Sequence, residues 1–196
     1  MDTRQLENAV SVPRGAVMTN LELSYGANGP LTDGIEIISP ILLEPESAEL
    51  QLRKVWEVIL TFCRVSIPPE AATHVHARVA NAAFTLEQVK ALAVGTVFFS
   101  SAIYDLFAST KMFDTWAKSN EEAFPNETLF TMVERLRDAK DIPSIVQLIS
   151  PFRQIAVNFQ PLLDTRGTVG FRRATGVKSA EQCLRVVAFT LRLIYV

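Results

Sequence analysis

From Ser47 onward, apolar residues recur at three- and four-residue intervals. Leu50, Leu52, Val55, Trp56, Ile59, Leu60 and Cys63 form a stripe that predicts a helix, ended by Pro68-Pro69. Pro69 is placed to open a second helix over 69–83, with Ala72, Val75, Val79 and Ala83 on one face. Thr85-Leu86-Glu87-Gln88 has the form of a capping box, and the helix it starts runs to about residue 108. Residues 92–103 are apolar except for Gly95, Thr96, Ser100 and Ser101, which predicts burial on most sides at the centre of the core. Shorter helices are expected over 113–119, 126–139 and 143–149. Ser150-Pro151 offers an N-cap followed by proline at the first helical position, so a helix carrying Phe152, Ile155, Phe159, Leu162 and Leu163 should follow. Residues 164–177 mix three glycines with arginines and threonines and read as a polar, basic loop. Ser179-Ala180-Glu181-Gln182 is a second capping box, and Leu184, Val187, Ala188 and Leu191 make the last helix amphipathic.

Ahead of these elements, residues 1–46 hold Gly15, Gly26, Gly29 and Gly34 together with Pro13, Pro30, Pro40 and Pro45. The apolar run Ile35, Ile37, Ile38, Ile41, Leu42 and Leu43 sits in a stretch too rich in proline for a helix, so it reads as an extended arm. Those aliphatic side chains need burial on the body or on a neighbouring subunit, and the second is expected. The expected architecture is all-α: a compact bundle of six to eight helices over residues 47–196, with an extended N-terminal arm over 1–46.

With 196 residues, 48% hydrophobic and 20% charged, the chain has the balance of a folded protein, which excludes wholesale disorder. No apolar run approaches the roughly 18 residues of a membrane helix, so no membrane partner is expected. Met1-Asp2-Thr3-Arg4-Gln5-Leu6-Glu7 lacks the basic and apolar regions of a secretory leader. The two cysteines, Cys63 and Cys183, are expected as reduced thiols on apolar faces.

Charge is distributed unevenly. Residues 1–50 carry two basic side chains against eight acidic ones, whereas residues 150–196 carry seven basic against two acidic. A protein with an acidic start and a basic end is suited to binding an anion locally, or to stacking one copy on the next.

The constellations of catalysis are not apparent. Gly167-Thr168-Val169-Gly170 lacks the lysine of a phosphate-binding loop. His74 and His76, placed on a helix, would point ~200° apart and read as surface residues, so no metal is expected. Glu121-Glu122 diverge as neighbours, and no Gly-x-Ser-x-Gly motif occurs. No cofactor follows from any of this, and no enzyme is expected. The aromatic residues Phe98, Phe99, Tyr104, Phe107, Phe113 and Trp116 suit either a base-stacking platform, a ligand pocket or core, and their embedding among Val97, Ala102, Ile103 and Leu106 favours core. Arg153 is different. In the first turn of its expected helix a cation is disfavoured by the dipole, so either an anion or an acid such as Asp164 or Glu134 should accompany it. Arg172, Arg173, Lys178 and Arg185 would extend it into a basic stripe.

The segment Ser150-Pro151-Phe152-Arg153-Gln154-Ile155-Ala156-Val157-Asn158-Phe159-Gln160-Pro161-Leu162 resembles part of the coat proteins of flexuous filamentous plant RNA viruses, the potexvirus-like and potyvirus-like group. Residues 52–83, with Val55-Trp56 and Val65-Ser66-Ile67-Pro68, look like the first two helices of that core. The resemblance implies a helical core, an arm that packs on the next subunit, and an arginine at position 153 in an RNA groove. It also implies location in the virion and the host cytoplasm. The family's late aromatic-aspartate element is not matched: Val187-Ala188-Phe189-Thr190-Leu191 carries threonine there. The functional expectation is a capsid or nucleocapsid protein that polymerises through its arm as a homo-oligomer. It would grip single-stranded RNA through Arg153, Arg172, Arg173, Lys178 and Arg185. The alternative is a helical oligomeric scaffold without nucleic acid.

Overall fold

The computed structural model describes residues 17–22, 37–42, 45–68, 71–107 and 113–194. The order of elements is β1 (Val17–Glu22), β2 (Ile37–Ile38), α1 (Pro45–Phe62), β3 (Ala72–Ala77), α2 (Leu86–Phe98), α3 (Ser100–Phe107) and α4 (Phe113–Trp116). A 3-10 turn (Asn120–Ala123) leads to α5 (Leu129–Asp138), α6 (Ile142–Ile149) and β4 (Val157–Asn158). A second 3-10 turn (Gln160–Leu163) precedes β5 (Val169–Thr175) and α7 (Ala180–Ile194). The expected all-α bundle is therefore corrected to a mixed α/β fold. Three longer strands and two short ones form an antiparallel sheet in the order β2-β1-β3-β5-β4.

The helices form where apolar spacing and caps coincide. Thr85 accepts the Gln88 N–H at 3.2 Å while Gln88 accepts the Thr85 N–H at 2.9 Å, a complete capping box that turns Val89, Leu92, Ala93 and Val97 inward. The helix ends at Phe99 and the chain bends by 61° into α3. Asp141 caps α6 by accepting the Ser144 N–H at 2.8 Å; hydrogen bonds from the Ser144 side chain and then its backbone hold the carboxyl below the usual range, and Ile145, Val146 and Ile149 fill the core behind it. No single helix among the described residues is long and apolar enough to cross a membrane, although α2 and α3 together satisfy length and composition as a bent pair.

Three stretches depart from the expected helices and loops. Residues 72–77 pair with β1 from Val17 opposite Ala77 to Glu22 opposite Ala72, and with β5 on their other side. Val75 then joins the apolar cluster of Leu42, Leu52, Trp56, Val177, Ala180, Cys183 and Val187, while His74 and His76 alternate to the opposite face. Residues 150–163 do not form the expected α-helix, because their polar groups are claimed elsewhere. Ser150 is the C-cap of α6, and its hydroxyl donates to the Val157 carbonyl and accepts from the Phe159 N–H. Buried Asn120 donates its amide to the Ile149 and Val157 carbonyls and accepts the Val157 N–H at 2.9 Å. Finally, the expected loop 164–177 contains β5. Gly170 is needed there because a Cβ would stand 3.0 Å from the His76 ring.

The stretch expected as an arm contributes β1 and β2 to the sheet itself, with residues 1–16 and 23–36 outside those described. Of the aliphatic residues expected at a subunit contact, Leu42 is buried in the chain's own apolar cluster around Trp56 and Ile37 packs against it. Ile41 is half-buried, Ile38 is exposed, and Ile35 and Leu43 lie outside the described residues.

Candidate nucleic-acid interface

The five cations expected to bind RNA divide into two groups. Arg173, on β5, is only 1% exposed: its guanidinium donates to the Ala117 carbonyl at 2.7 Å and lies 3.9 Å from the Tyr104 ring centroid. It is a structural residue that ties β5 to α3 and to the segment after α4. Arg172 is half-buried beside it. Thr73 stands opposite Ala174 but Val75 opposite Phe171, so Arg172 and Arg173 together face His74 in a β-bulge. The expected stripe therefore loses both members that lie on β5 as freely exposed phosphate contacts.

Lys178, Arg185 and Arg153 are exposed. Arg153 lies in a bend, not in a first helical turn, so the dipole argument for an anion beside it does not apply. Lys178 precedes α7 and Arg185 lies on its solvent face, where Glu181, Ala188 and Arg192 are also exposed. Arg192, not among the expected contacts, follows Arg185 by seven residues, which returns to the same side of the helix with a rise of about 10.5 Å. That spacing is the sequence signal that identifies it. Glu181 on this face is engaged by Arg53 of α1 at 2.6 Å, and Arg53 also holds Glu49. Arg166, by contrast, is neutralised by Asp164 at 2.5 Å.

The aromatic residues also divide. Phe107 packs edge-on against Phe171 and Phe189, as core residues do. Phe98, Phe99 and Trp116 are 61%, 50% and 55% exposed, which overturns the expectation of core for them. Beneath the cluster, Thr96, Ser100, Tyr104, Ser119, Asn120 and Arg173 line a cavity of about 10 Å³, which admits one water and no metabolite.

His74 and His76 share one face of β3, not opposite sides of a helix, and both are largely buried. Desolvation, with Arg172 and for His76 Arg166 nearby, lowers each to about 4. The His76 Nδ1 lies 3.0 Å from the Thr168 hydroxyl. Among the described residues no three His, Cys, Asp or Glu side chains gather as a metal site. Cys183 is buried and pushed up to about 11, whereas Cys63 is exposed, against the expectation of a core thiol. No family model, curated protein or solved structure matches the chain.

Proposed function

We propose that the chain is a structural subunit of the capsid or nucleocapsid kind, which self-associates and holds single-stranded RNA without covalent chemistry. The observation that carries the reading is the exposed set of Lys178 just ahead of α7 with Arg185 and Arg192 on it, joined by exposed Arg153 elsewhere on the surface. Cations that keep their water and face solvent gain from releasing the counterions of a polyanion; cations in a core do not. The resemblance of residues 150–162 to filamentous-virus coat proteins supports the same chemistry, although the helix it implied is replaced by a bend, β4 and a 3-10 turn.

The test is fluorescence anisotropy with a labelled 20-nucleotide oligouridine across a salt series. The parent should bind, and replacing Lys178, Arg185 and Arg192 together by glutamine should make the log–log salt slope shallower by about 2, at roughly 0.7 for each phosphate contact. A parent that fails to bind at low salt overturns the reading. The second reading, a self-associating scaffold without nucleic acid, is favoured by Leu50, Val58, Leu60 and Phe62, which α1 leaves exposed. It requires an oligomer in sedimentation that neither carries nor captures RNA.

A further inference from the structure

We infer that Phe98, Phe99 and Trp116 form a platform on which single-stranded RNA stacks its bases, with Lys118 and Arg153 beside it to take the phosphates. This deepens the RNA-binding reading and rests on it. The segments that carry the rings are tied together. Ser100, next to Phe99, shares a 2.7 Å hydrogen bond with Ser119, three residues past Trp116. Phe98 and Phe99 meet edge to face at 5.1 Å. Buried Arg173 holds the residue after Trp116 by donating to the Ala117 carbonyl while stacking on Tyr104. The segment that follows Trp116 is thus held at Ala117 and at Ser119, the preorganisation a binding platform requires.

The cations arrive through the backbone pairing of the next residues. The Lys118 N–H donates to the Gln154 carbonyl at 3.1 Å and the Lys118 carbonyl accepts the Ala156 N–H at 2.8 Å. This parallel pairing sets Lys118 opposite Ile155, two residues after exposed Arg153, and the Lys118 ammonium lies 5.9 Å from the Phe152 ring. Glu122, 3.4 Å from Lys118, shares that cation. Exposed aromatic faces interleaved with cations match a single strand, because every base offers a π-face and every link a phosphate. Protein interfaces share the aromatics and the arginine but are depleted in lysine at their cores, so Lys118 is the member of the patch that favours a nucleic acid.

Intrinsic fluorescence reports on the platform. Trp56 is only 4% exposed, so oligonucleotide stacking should quench Trp116. In titrations with a 12-nucleotide oligoadenylate, parent fluorescence should fall on binding, and Trp116→Phe should abolish most of the quenching while keeping the affinity. Trp116→Ala should bind about tenfold more weakly with an unchanged salt slope, as loss of one stacking contact requires. Arg153→Gln and Lys118→Gln should each make the slope shallower by roughly 0.7 instead. Circular dichroism checks that each variant is folded. If the parent binds RNA but Trp116→Ala binds equally well, the platform is wrong and RNA binding by other cations stands. If Trp116→Ala dissolves an oligomer without weakening RNA binding, the patch is an interface between copies and the inference is overturned. If the parent binds no RNA, both proposals fall.

Discussion

β5 and α7 follow one another in the chain and both carry basic residues, yet they treat them in opposite ways. The strand draws Arg173 into the interior, where the Ala117 carbonyl and the Tyr104 ring replace its water. The helix leaves Arg185 and Arg192 in solvent. A strand in the middle of a sheet has two neighbours and two covered faces, so a long side chain on it must find partners inside. An amphipathic helix has an outer face to spare. The count of cations in the C-terminal third is therefore a poor guide to how many meet a ligand; the element that carries each one decides.

The largest effect that separates the two elements is expected at the buried arginine. Arg173→Ala removes a large core side chain and leaves the Ala117 carbonyl without this donor, which together should cost about 3 kcal/mol. Arg173→Met keeps most of the volume and should cost less. Urea unfolding measures both. At salt concentrations where the variant is folded, its RNA salt slope should equal the parent's; a shallower slope would mean that β5 contributes a phosphate contact after all.

A smaller effect concerns the histidines packed beside the same strand. In the fold His74 and His76 hold their protons only below about 4, whereas an ordinary histidine takes one near 6.5. The unfolded chain therefore binds more protons between those values. Stability should be complete above about pH 6.5 and fall progressively as the pH drops toward 4, by roughly 2 kcal/mol for each histidine at pH 5. Unfolding midpoints at pH 7 and pH 5 test this, with His76→Gln expected to lose less over that interval than the parent. An equal loss would place the acid sensitivity elsewhere.

The same contrast explains what the sequence revealed. α1, α2, α5 and α6 were legible because apolar spacing and capping residues are local, and Thr85 with Gln88 forms the expected box. β3 was not legible, because its alanine-rich sequence supports two periods at once. Ala72, Val75, Val79 and Ala83 fit a helix, while Thr73, Val75 and Ala77 fit a strand. The choice is made by β1 and β5, tens of residues away. Ser150-Pro151 misled for a similar reason: the groups that satisfy the following backbone include Asn120, which no local window contains. In the candidate site, Lys178 and Arg185 were legible as exposed cations near a helix start. The burial of Arg173 was not, since it depends on a bulge set by cross-strand register. Grouping Trp116 with the aromatics embedded among Val97, Ala102, Ile103 and Leu106 hid its exposure, whereas its own neighbours Asp114, Thr115 and Lys118 are polar.

The smallest expected effect lies on α7 itself and isolates charge from packing. Glu181 shares the solvent face of α7 with Arg185, and its carboxyl, held below the usual range by a backbone hydrogen bond and by Arg53, stays ionised at neutral pH. A carboxylate one turn from Arg185 weakens the attraction of that face for a phosphate, and an exposed pair such as Arg53 with Glu181 contributes little to stability. Glu181→Gln should therefore leave the unfolding midpoint where it is. Because a unit charge about 10 Å away in water changes a binding equilibrium by about twofold, oligouridine affinity at low salt should rise by that amount. The gain should fade as the salt concentration brings the Debye length below that distance. The same substitution has no reason to alter quenching of Trp116. An affinity that stays flat, or falls, at low salt would show that RNA does not approach the α7 face, and would move the phosphate contacts to Lys118 and Arg153.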